Sequence, residues 1–230
     1  MAIQKLPLNV VLASGSPRRK QLLEDAGIKF VVYRPTQEVD ESLEPDDMKD
    51  PAGAVKKLAE RKAGAVVQDI LSQNSKGAGL IIGADTTVVL DGEMMGKPYS
   101  ADHAREMLRK LSGRTHEVIT GVSLWLVMLG DPTEDQPEGT VSMGFRSFHE
   151  TSQVTFKELT DDDIRLYVAT GETIDKAGAY AIQGKGAALV DHHEGDYNNI
   201  VGLPVDRLVE AFPDIKNGYI EVEVPEAEGE

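Results

Sequence analysis

The sequence predicts an α/β fold in which an elongated mixed sheet is flanked by helices. Apolar strand segments alternate with amphipathic helix segments along the chain. Long runs of alternating apolar residues, such as 115–129, indicate half-buried strands, and 142–156 is expected to return antiparallel to that strand. At 230 residues, with 40% hydrophobic and 27% charged residues, the chain can form one sizeable core or two small lobes that share one.

The first predicted unit is a strand followed by a helix. The strand ends at Leu12, Ser16 suits the N-cap position, and Pro17 suits the first helical position. Arg18 and Arg19 then lie in the first turn, where the helix dipole favours acidic residues. This placement becomes favourable if an anion such as phosphate binds the free N–H groups there. The alternative is two solvated surface arginines, which cost only a few tenths of a kcal/mol.

Turn and capping signals divide the rest of the chain. The first part is predicted to begin with a strand at 29–33, an acidic loop at 34–50 and a helix from Pro51 to about Gln68. A strand at 80–90 with an Asp91-Gly92 turn and a helix at 100–112 follow. Two strands are then predicted at 115–129 and 142–156, with a polar loop at 131–139 between them. The second part is predicted to contain a helix from Thr160 to about Ala169, a glycine-rich segment at 175–186, paired strands at 187–190 and 199–203 with His192 and His193 in the turn between them, and a helix at 204–212.

Composition limits the location and the partners. The net charge of −15 argues against a nucleic-acid or anionic-membrane surface, although a local basic cluster can still bind a small anion. We predict one domain at 1–215 and an acidic, mostly solvated tail at 216–230, with at most a short edge strand at 219–224. The chain has no cysteine, no signal-peptide pattern and no apolar stretch that could span a bilayer, so we expect a cytoplasmic protein.

Three charged residues occupy unexpected positions. Asp85 interrupts the apolar run 80–90, where a carboxylate is costly unless it is paired, hydrogen-bonded or metal-bound; a bulge or an edge position is the alternative. Lys62 falls on the apolar stripe of its helix and either snorkels, the commoner outcome, or points into a site. Lys97 follows Gly96 in a segment that fails as a P-loop, because it is one residue short and has proline in place of Ser/Thr, but it can still face a phosphate.

Taken together, several segments resemble the Maf family of nucleotide pyrophosphatases. They occur in the family's order across roughly residues 8–212, which makes the match far more specific than any single motif. The chain departs from the family pattern in a long 131–150 stretch and in the acidic tail, neither of which contains a motif. The matching segments are 12–23, Val39-Asp40-Glu41, Leu58-Ala59-Glu60-Arg61-Lys62-Ala63, Gly83-Ala84-Asp85-Thr86, Gly96-Lys97-Pro98, Leu111-Ser112-Gly113-Arg114-Thr115-His116, 175–184 and Val201-Gly202-Leu203-Pro204.

The resemblance implies two lobes with a central cleft, as in inosine-triphosphate pyrophosphatases. It also implies metal-dependent hydrolysis of a nucleoside triphosphate between the α and β phosphates, with a nucleoside triphosphate as the partner. The Thr115-His116 and Ile182-Gln183-Gly184 forms resemble the branch that acts on dTTP and UTP rather than the branch that acts on 7-methyl-GTP. Members of the family are commonly cytoplasmic homodimers.

The resemblance also assigns residues to the site. Glu41, Lys62, Asp85 and Lys97 are the expected catalytic residues, and Glu41 and Asp85 offer the oxygen ligands that Mg²⁺ or Mn²⁺ would use. The expected role of Asp85 is to accept the proton of the attacking water, but a role only through the metal stays open. Substrate binding is expected from five residues: Ser14, Arg18, Arg19, Thr86 and Gln183. Arg18, Thr86 and Gln183 are associated with base choice, and a glutamine amide matches the O4/N3–H edge of thymine or uracil.

Two other functions remain as alternatives. A non-hydrolytic nucleotide-binding regulator of cell division would have no need for the carboxylates Glu41 and Asp85 beside a phosphate site. A pyrophosphatase for 7-methyl-GTP would keep the chemistry but would favour an acidic residue at Gln183, because the N1–H/N2–H₂ edge of guanine donates hydrogen bonds.

Overall fold

The computed structural model describes residues 2–73, 77–130 and 140–224, so the predicted loop at 131–139 lies outside the described residues. The strands are β1 Ala2–Leu12, β2 Val31–Val32, β3 Gly77–Leu90, β4 Glu93–Met95, β5 Thr115–Leu129, β6 Val141–Phe156, β7 Val190–Glu194 and β8 Tyr219–Val224. The α-helices are α1 Pro17–Asp25, α2 Pro51–Ser72, α3 Ala101–Leu111, α4 Asp161–Val168, α5 Tyr197–Val201 and α6 Val205–Ala211. Short 3-10 helices occur at Asp47–Lys49, Ala177–Ala179, Gly184–Leu189 and Pro213–Lys216.

The eight strands form one mixed sheet, which confirms the predicted fold class. The strand order is β2-β1-β3-β5-β6-β7, with β4 paired to β3 and β8 paired to β1. Strand β1 runs parallel to β2 and β3, whereas the β3–β5, β5–β6 and β6–β7 pairs are antiparallel. The three longest strands, β3, β5 and β6, give the sheet its elongated shape.

Helices cover both faces of the sheet at β3. Ile81 packs with Val66 of α2 on one face, whereas Leu80 and Ile82 belong to the larger core on the other face. That larger core also contains buried residues of α1, α3, α4, α5 and α6. Burial on both faces explains why the 80–90 run reads as continuously apolar rather than alternating.

Two glycines allow α2 to lie directly on the sheet. A Cβ atom added to Gly83 of β3 would be 2.3 Å from the Ala59 carbonyl oxygen. A Cβ atom on Gly121, the neighbour of Asp85 in β5, would be 2.4 Å from the Val55 carbonyl carbon. Since real Cβ atoms do not approach backbone this closely, the glycines set the distance between α2 and the end of β3 that bears Asp85.

The predicted helix starts at Ser16 and Thr160 are confirmed. The Ser16 side chain accepts from the Arg19 N–H at 3.5 Å, and Thr160 forms the predicted capping box with Asp163. Helix α2 extends to Ser72, beyond the predicted end near Gln68. Of the helices that the structure describes, none is long and apolar enough to cross a membrane.

The predicted strand at 199–203 is wrong, because this segment lies mostly in α5. Asp196 starts the helix by accepting the Asn198 N–H at 2.7 Å, and Gly202 ends it with a φ of 130°. Ile200 and Val201 are buried as expected, but a short apolar run does not separate a strand from a helix.

The predicted strand at 187–190 and the turn at His192 and His193 are also wrong. Residues Gly184–Leu189 form a 3-10 helix, and both histidines lie in β7, where they pair with Thr155 and Val154 of β6. The segment 219–224 does form the short strand allowed by the sequence, β8, which pairs with the first half of β1. The acidic residues after β8 lie outside the described part of the chain.

Candidate active site

The sheet and its surrounding loops enclose a cavity of about 1140 Å³. Its walls come from the β1–α1 loop, the loop after β2, the middle of β3, the glycine-rich segment and the end of α5. The cavity is lined by every residue that the sequence assigned to the site: Ser14, Arg18, Arg19, Glu41, Lys62, Asp85, Thr86, Lys97 and Gln183. These nine residues come from six separate segments of the sequence and meet in one cleft.

Lys62 bridges the two predicted carboxylates. Its Nζ lies 2.5 Å from Asp85 Oδ1 and 3.0 Å from Glu41 Oε1. The side chains of Lys62 and Asp85 are only 16% and 17% exposed, whereas that of Glu41 is 49% exposed. Asp85 lies in regular pairing with Gly121 of β5, so a bulge does not explain it. On the other side of β3 the described pairing with β1 ends at Ile82 and that with β4 begins at Val88, so Asp85 stands at a local edge, as one of the alternatives from the sequence allowed. The ion pair with Lys62 is what makes a carboxylate tolerable in this strand.

The cations around Glu41 keep it ionised. Burial alone would raise the pKa of this carboxyl group, but the charge and hydrogen bond of Lys62, with the charges of Lys97 and Arg19, outweigh burial and lower its pKa. Lys97 itself is exposed at the edge of the cavity. Glu41 and Asp85 therefore share the cleft with the charges of Lys62, Lys97 and Arg19.

Arg19 is held in one orientation by three neutral acceptors. Its Nε donates to the Gly202 carbonyl at 2.8 Å, Nη1 donates to Ser14 Oγ at 3.2 Å, and Nη2 donates to Thr86 Oγ1 at 3.1 Å. Burial lowers the pKa of Arg19, but a guanidinium remains charged at neutral pH. These bonds orient the guanidinium and leave its charge available to an anion in the cleft.

A buried polar chain supports Thr86 from behind, and the sequence did not predict it. Thr86 Oγ1 lies 2.9 Å from Thr120 Oγ1, and the Thr120 hydroxyl donates to the Asn199 carbonyl at 2.9 Å. The Asn199 amide in turn donates to the Val118 carbonyl at 3.0 Å. A threonine in one predicted strand and an asparagine in another are too common to indicate such a chain from the sequence alone.

The glycine-rich segment packs directly on β3 and β4. Gly178 has a φ of 66°, its N–H donates to the Gly96 carbonyl at 3.1 Å, and a Cβ there would be 2.9 Å from the Val88 side chain. Tyr180 then hydrogen-bonds His116 Nε2 at 2.7 Å in the core. These contacts bring the exposed Gln183 to the rim of the cavity.

The carboxylates fit a magnesium site that is completed by substrate. Among the described residues, no group of three or more His, Cys, Asp and Glu side chains could hold a metal. Glu41 and Asp85 nevertheless meet at the same lysine inside the cleft. Mg²⁺ is commonly bound through one or two carboxylates together with substrate phosphates and water, so this donor set fits.

Comparison with known proteins identifies the family. The family model described as "Maf-like protein" matches residues 9–215. The chain belongs to the Maf family. Two relatives, both named "dTTP/UTP pyrophosphatase", come from Bacillus cytotoxicus (44% identical, covering 90% of this chain and 96% of the relative) and Bacillus velezensis (43%, covering 88% and 94%). A Bacillus mycoides protein of the same name is 44% identical over 87% of this chain and 92% of its own. Maf membership confirms the resemblance found in the sequence.

Proposed function

We propose that this Maf protein hydrolyses dTTP and UTP to the nucleoside monophosphate and pyrophosphate, in a reaction that depends on a divalent metal ion. The observation that carries the proposal is the pair of carboxylates, Asp85 and Glu41, joined by Lys62 inside a cleft that also contains Arg19. The relatives' shared name supports the choice of substrate, because the similarity covers nearly the whole chain.

The basic side of the cleft binds the triphosphate. Arg18 and Arg19 stand at the N-terminus of α1, where backbone N–H groups and the helix dipole favour an anion. Ser14 and Thr86 act by orienting Arg19, and Ser14 also accepts the Ser16 N–H at 3.2 Å. Lys97 adds a further cation from the β4 side.

The reaction is an in-line displacement at the α phosphorus. Asp85 accepts a proton from the attacking water as the new oxygen–phosphorus bond forms, and the bond to the bridging α,β oxygen breaks so that pyrophosphate leaves with that electron pair. Lys62 holds Asp85 and Glu41 in place, and its charge favours the ionised form of Glu41 by lowering the pKa of that carboxyl group. Mg²⁺ or Mn²⁺ held by Glu41, Asp85 and phosphate oxygens would supply charge neutralisation.

The base is selected at the rim formed by the glycine-rich segment. The Gln183 amide has one donor group and one acceptor group, which complement the O4/N3–H edge of thymine and uracil. Arg18 and Thr86 line the same cavity and contribute to substrate choice. We also propose a cytoplasmic homodimer, which sedimentation of the purified protein and fractionation of cells would test.

The decisive experiment measures pyrophosphate release from dTTP, UTP, CTP, GTP and 7-methyl-GTP, each with Mg²⁺, with Mn²⁺ and with a chelator. The proposal expects metal-dependent release mainly from dTTP and UTP. Release mainly from 7-methyl-GTP would refute the role of Gln183 while keeping the chemistry. Nucleotide binding without release from any nucleotide would refute the enzyme and favour a binding regulator.

A further inference from the structure

Of the two proposed metal ligands, Glu41 has less structural support than Asp85. It lies in the segment between β2 and α2, where regular structure is confined to the 3-10 helix Asp47–Lys49. Its side chain is about half exposed, whereas Lys62 and Asp85 are largely enclosed. The position of this carboxylate therefore depends on how its own stretch of backbone is held.

One side chain of α2 holds the main chain on both sides of Glu41. Arg61 Nη1 donates to the Asp40 carbonyl at 3.1 Å and to the Ser42 carbonyl at 2.6 Å. The Ser42 N–H also donates to the Asp40 carboxylate at 2.9 Å, which forms a compact turn around Glu41. Arg61 joins that turn to the helix.

Arg61 and Lys62 act on the same residue from neighbouring positions in α2. Successive helical residues point about 100° apart, so one side chain can reach the outer loop while the next faces the sheet. Arg61 binds the carbonyls that flank Glu41, and Lys62 binds its carboxylate at 3.0 Å. The helix thus fixes both the backbone and the side chain of Glu41.

The other contacts between this segment and α2 lie further from Glu41. Lys57 pairs with Asp47 at 2.7 Å, and the Thr36 N–H and hydroxyl both donate to Asp69 at 2.8 Å. These contacts dock the two ends of the segment, five or six residues from Glu41. They provide a matched comparison, because they join the same helix to the same loop without touching the turn.

We propose that Arg61 is a positioning residue that holds Glu41 at the metal-binding and reacting end of the cleft. This inference rests on the proposed function. Groups that orient a metal ligand typically change metal affinity or activity by 10- to 100-fold when removed. Because the two hydrogen bonds of Arg61 are solvent-exposed, we expect about the lower end of that range.

The test compares Arg61→Ala with Lys57→Ala, and repeats Arg61→Ala in a Glu41→Gln background. Arg61→Ala should lower kcat/KM for dTTP about tenfold and weaken Mn²⁺ binding by a similar factor, whereas Lys57→Ala should change both less than about twofold. In the Glu41→Gln background, Arg61→Ala should cost almost nothing more, because its effect passes through Glu41. Arg61→Gln, whose amide can still donate to one carbonyl, replaces the alanine variant if that variant fails to fold.

Mn²⁺ binding is measured by electron paramagnetic resonance with the α,β-imido analogue of dTTP, which cannot be cleaved at that bond. Equal losses for Arg61→Ala and Lys57→Ala would overturn the inference, and so would an undiminished effect of Arg61→Ala in the Glu41→Gln background. If the unmodified protein released pyrophosphate from no nucleotide, the proposed function would fail, whereas the Mn²⁺ titration would still test Arg61.

Discussion

The two carboxylates that share Lys62 are held in different ways. Asp85 stands in the middle of β3, in register with β5 and beneath α2, and its side chain is 17% exposed. Glu41 stands on a loop, is 49% exposed, and reaches the same lysine through a turn that Arg61 holds. Gln183 likewise stands on a segment outside the long strands, at the edge of a 3-10 helix.

This difference separates the chemistry from substrate choice. The Asp85–Lys62 pair is fixed by close packing of a helix on a sheet, which keeps the reacting groups in one geometry. Glu41 stands in a turn that Arg61 and Lys62 join to α2, and Gln183 stands beside a short 3-10 helix, where substitution is tolerated better than in packed elements. We therefore expect substitutions at the α2–β3 contact to reduce hydrolysis of every nucleotide, and substitutions of Gln183 to change which nucleotide is hydrolysed.

The largest effect is expected from Asp85→Asn. The amide keeps the shape of the side chain but neither accepts the proton of water nor balances the charge of Lys62, so kcat for dTTP should fall by about 10³-fold or more. Thermal unfolding followed by circular dichroism would check that the variant folds. Asp91→Asn, at an exposed turn, is the control and should retain full turnover. Near-normal kcat in Asp85→Asn would remove Asp85 from the reaction.

The next effect concerns His116, which hydrogen-bonds Tyr180 of the glycine-rich segment. Burial lowers the pKa of His116 to about 4, whereas an unfolded histidine titrates near 6.5. Between these values the unfolded chain binds a proton that the native chain does not, so stability is lost as the pH falls from about 6.5 to about 4. The contribution of this one group is about 3 kcal/mol.

Urea unfolding at pH 6.5 and pH 4.5 measures this contribution. His116→Gln should lose less of its unfolding free energy on acidification than the unmodified protein, although it is less stable at pH 6.5 because Tyr180 loses its partner. His192→Gln, at an exposed site, should follow the unmodified protein. Identical pH dependence in His116→Gln and the unmodified protein would contradict a buried neutral His116.

A third prediction compares two glycines of β3. Gly83→Ala places a methyl group 2.3 Å from the Ala59 carbonyl oxygen, so α2 must shift and the protein should lose about 2 kcal/mol of stability together with part of its kcat. In Gly79→Ala the nearest atoms are 3.7 Å away, so stability should be unchanged or slightly higher. Equal unfolding free energies for the two variants would show that close packing at Gly83 does not fix α2, and with it Lys62, against β3.

The smallest effect is expected from Gln183→Glu. A carboxylate lacks the donor that Gln183 offers to O4 of thymine, so kcat/KM for dTTP relative to GTP should fall about tenfold. Steady-state kinetics with both nucleotides measure the ratio, and Lys185→Gln, an exposed neighbour outside the cavity lining, should leave it unchanged. A ratio that does not move would exclude Gln183 from base reading.

The sequence marks both residues of the α2–β3 contact as anomalies, although it does not pair them with each other. A lysine on an apolar stripe and an aspartate in an apolar strand are each costly alone, and a single ion pair explains both. The helix N-cap at Ser16 was predictable, since few residue types satisfy that position.

The contacts that hold the loops around the cleft could not be predicted from the sequence. Arg61 looks like any charged residue on a surface helix, and nothing local indicates that it binds two carbonyls about twenty positions away. Thr120 and Asn199 meet only because β5 and α5 are brought together by the fold. Helix α5 was predicted as a strand because its short apolar run has no period that separates the two structures.

In the proposed reaction, water attacks the α phosphorus of a pyrimidine triphosphate in this cleft. The most direct measurement is phosphorus NMR of dTTP turned over by the protein with Mg²⁺ in water enriched in oxygen-18. We expect dTMP and pyrophosphate as the products, with the heavy oxygen in dTMP only. Label in the pyrophosphate, or formation of dTDP and inorganic phosphate, would contradict it.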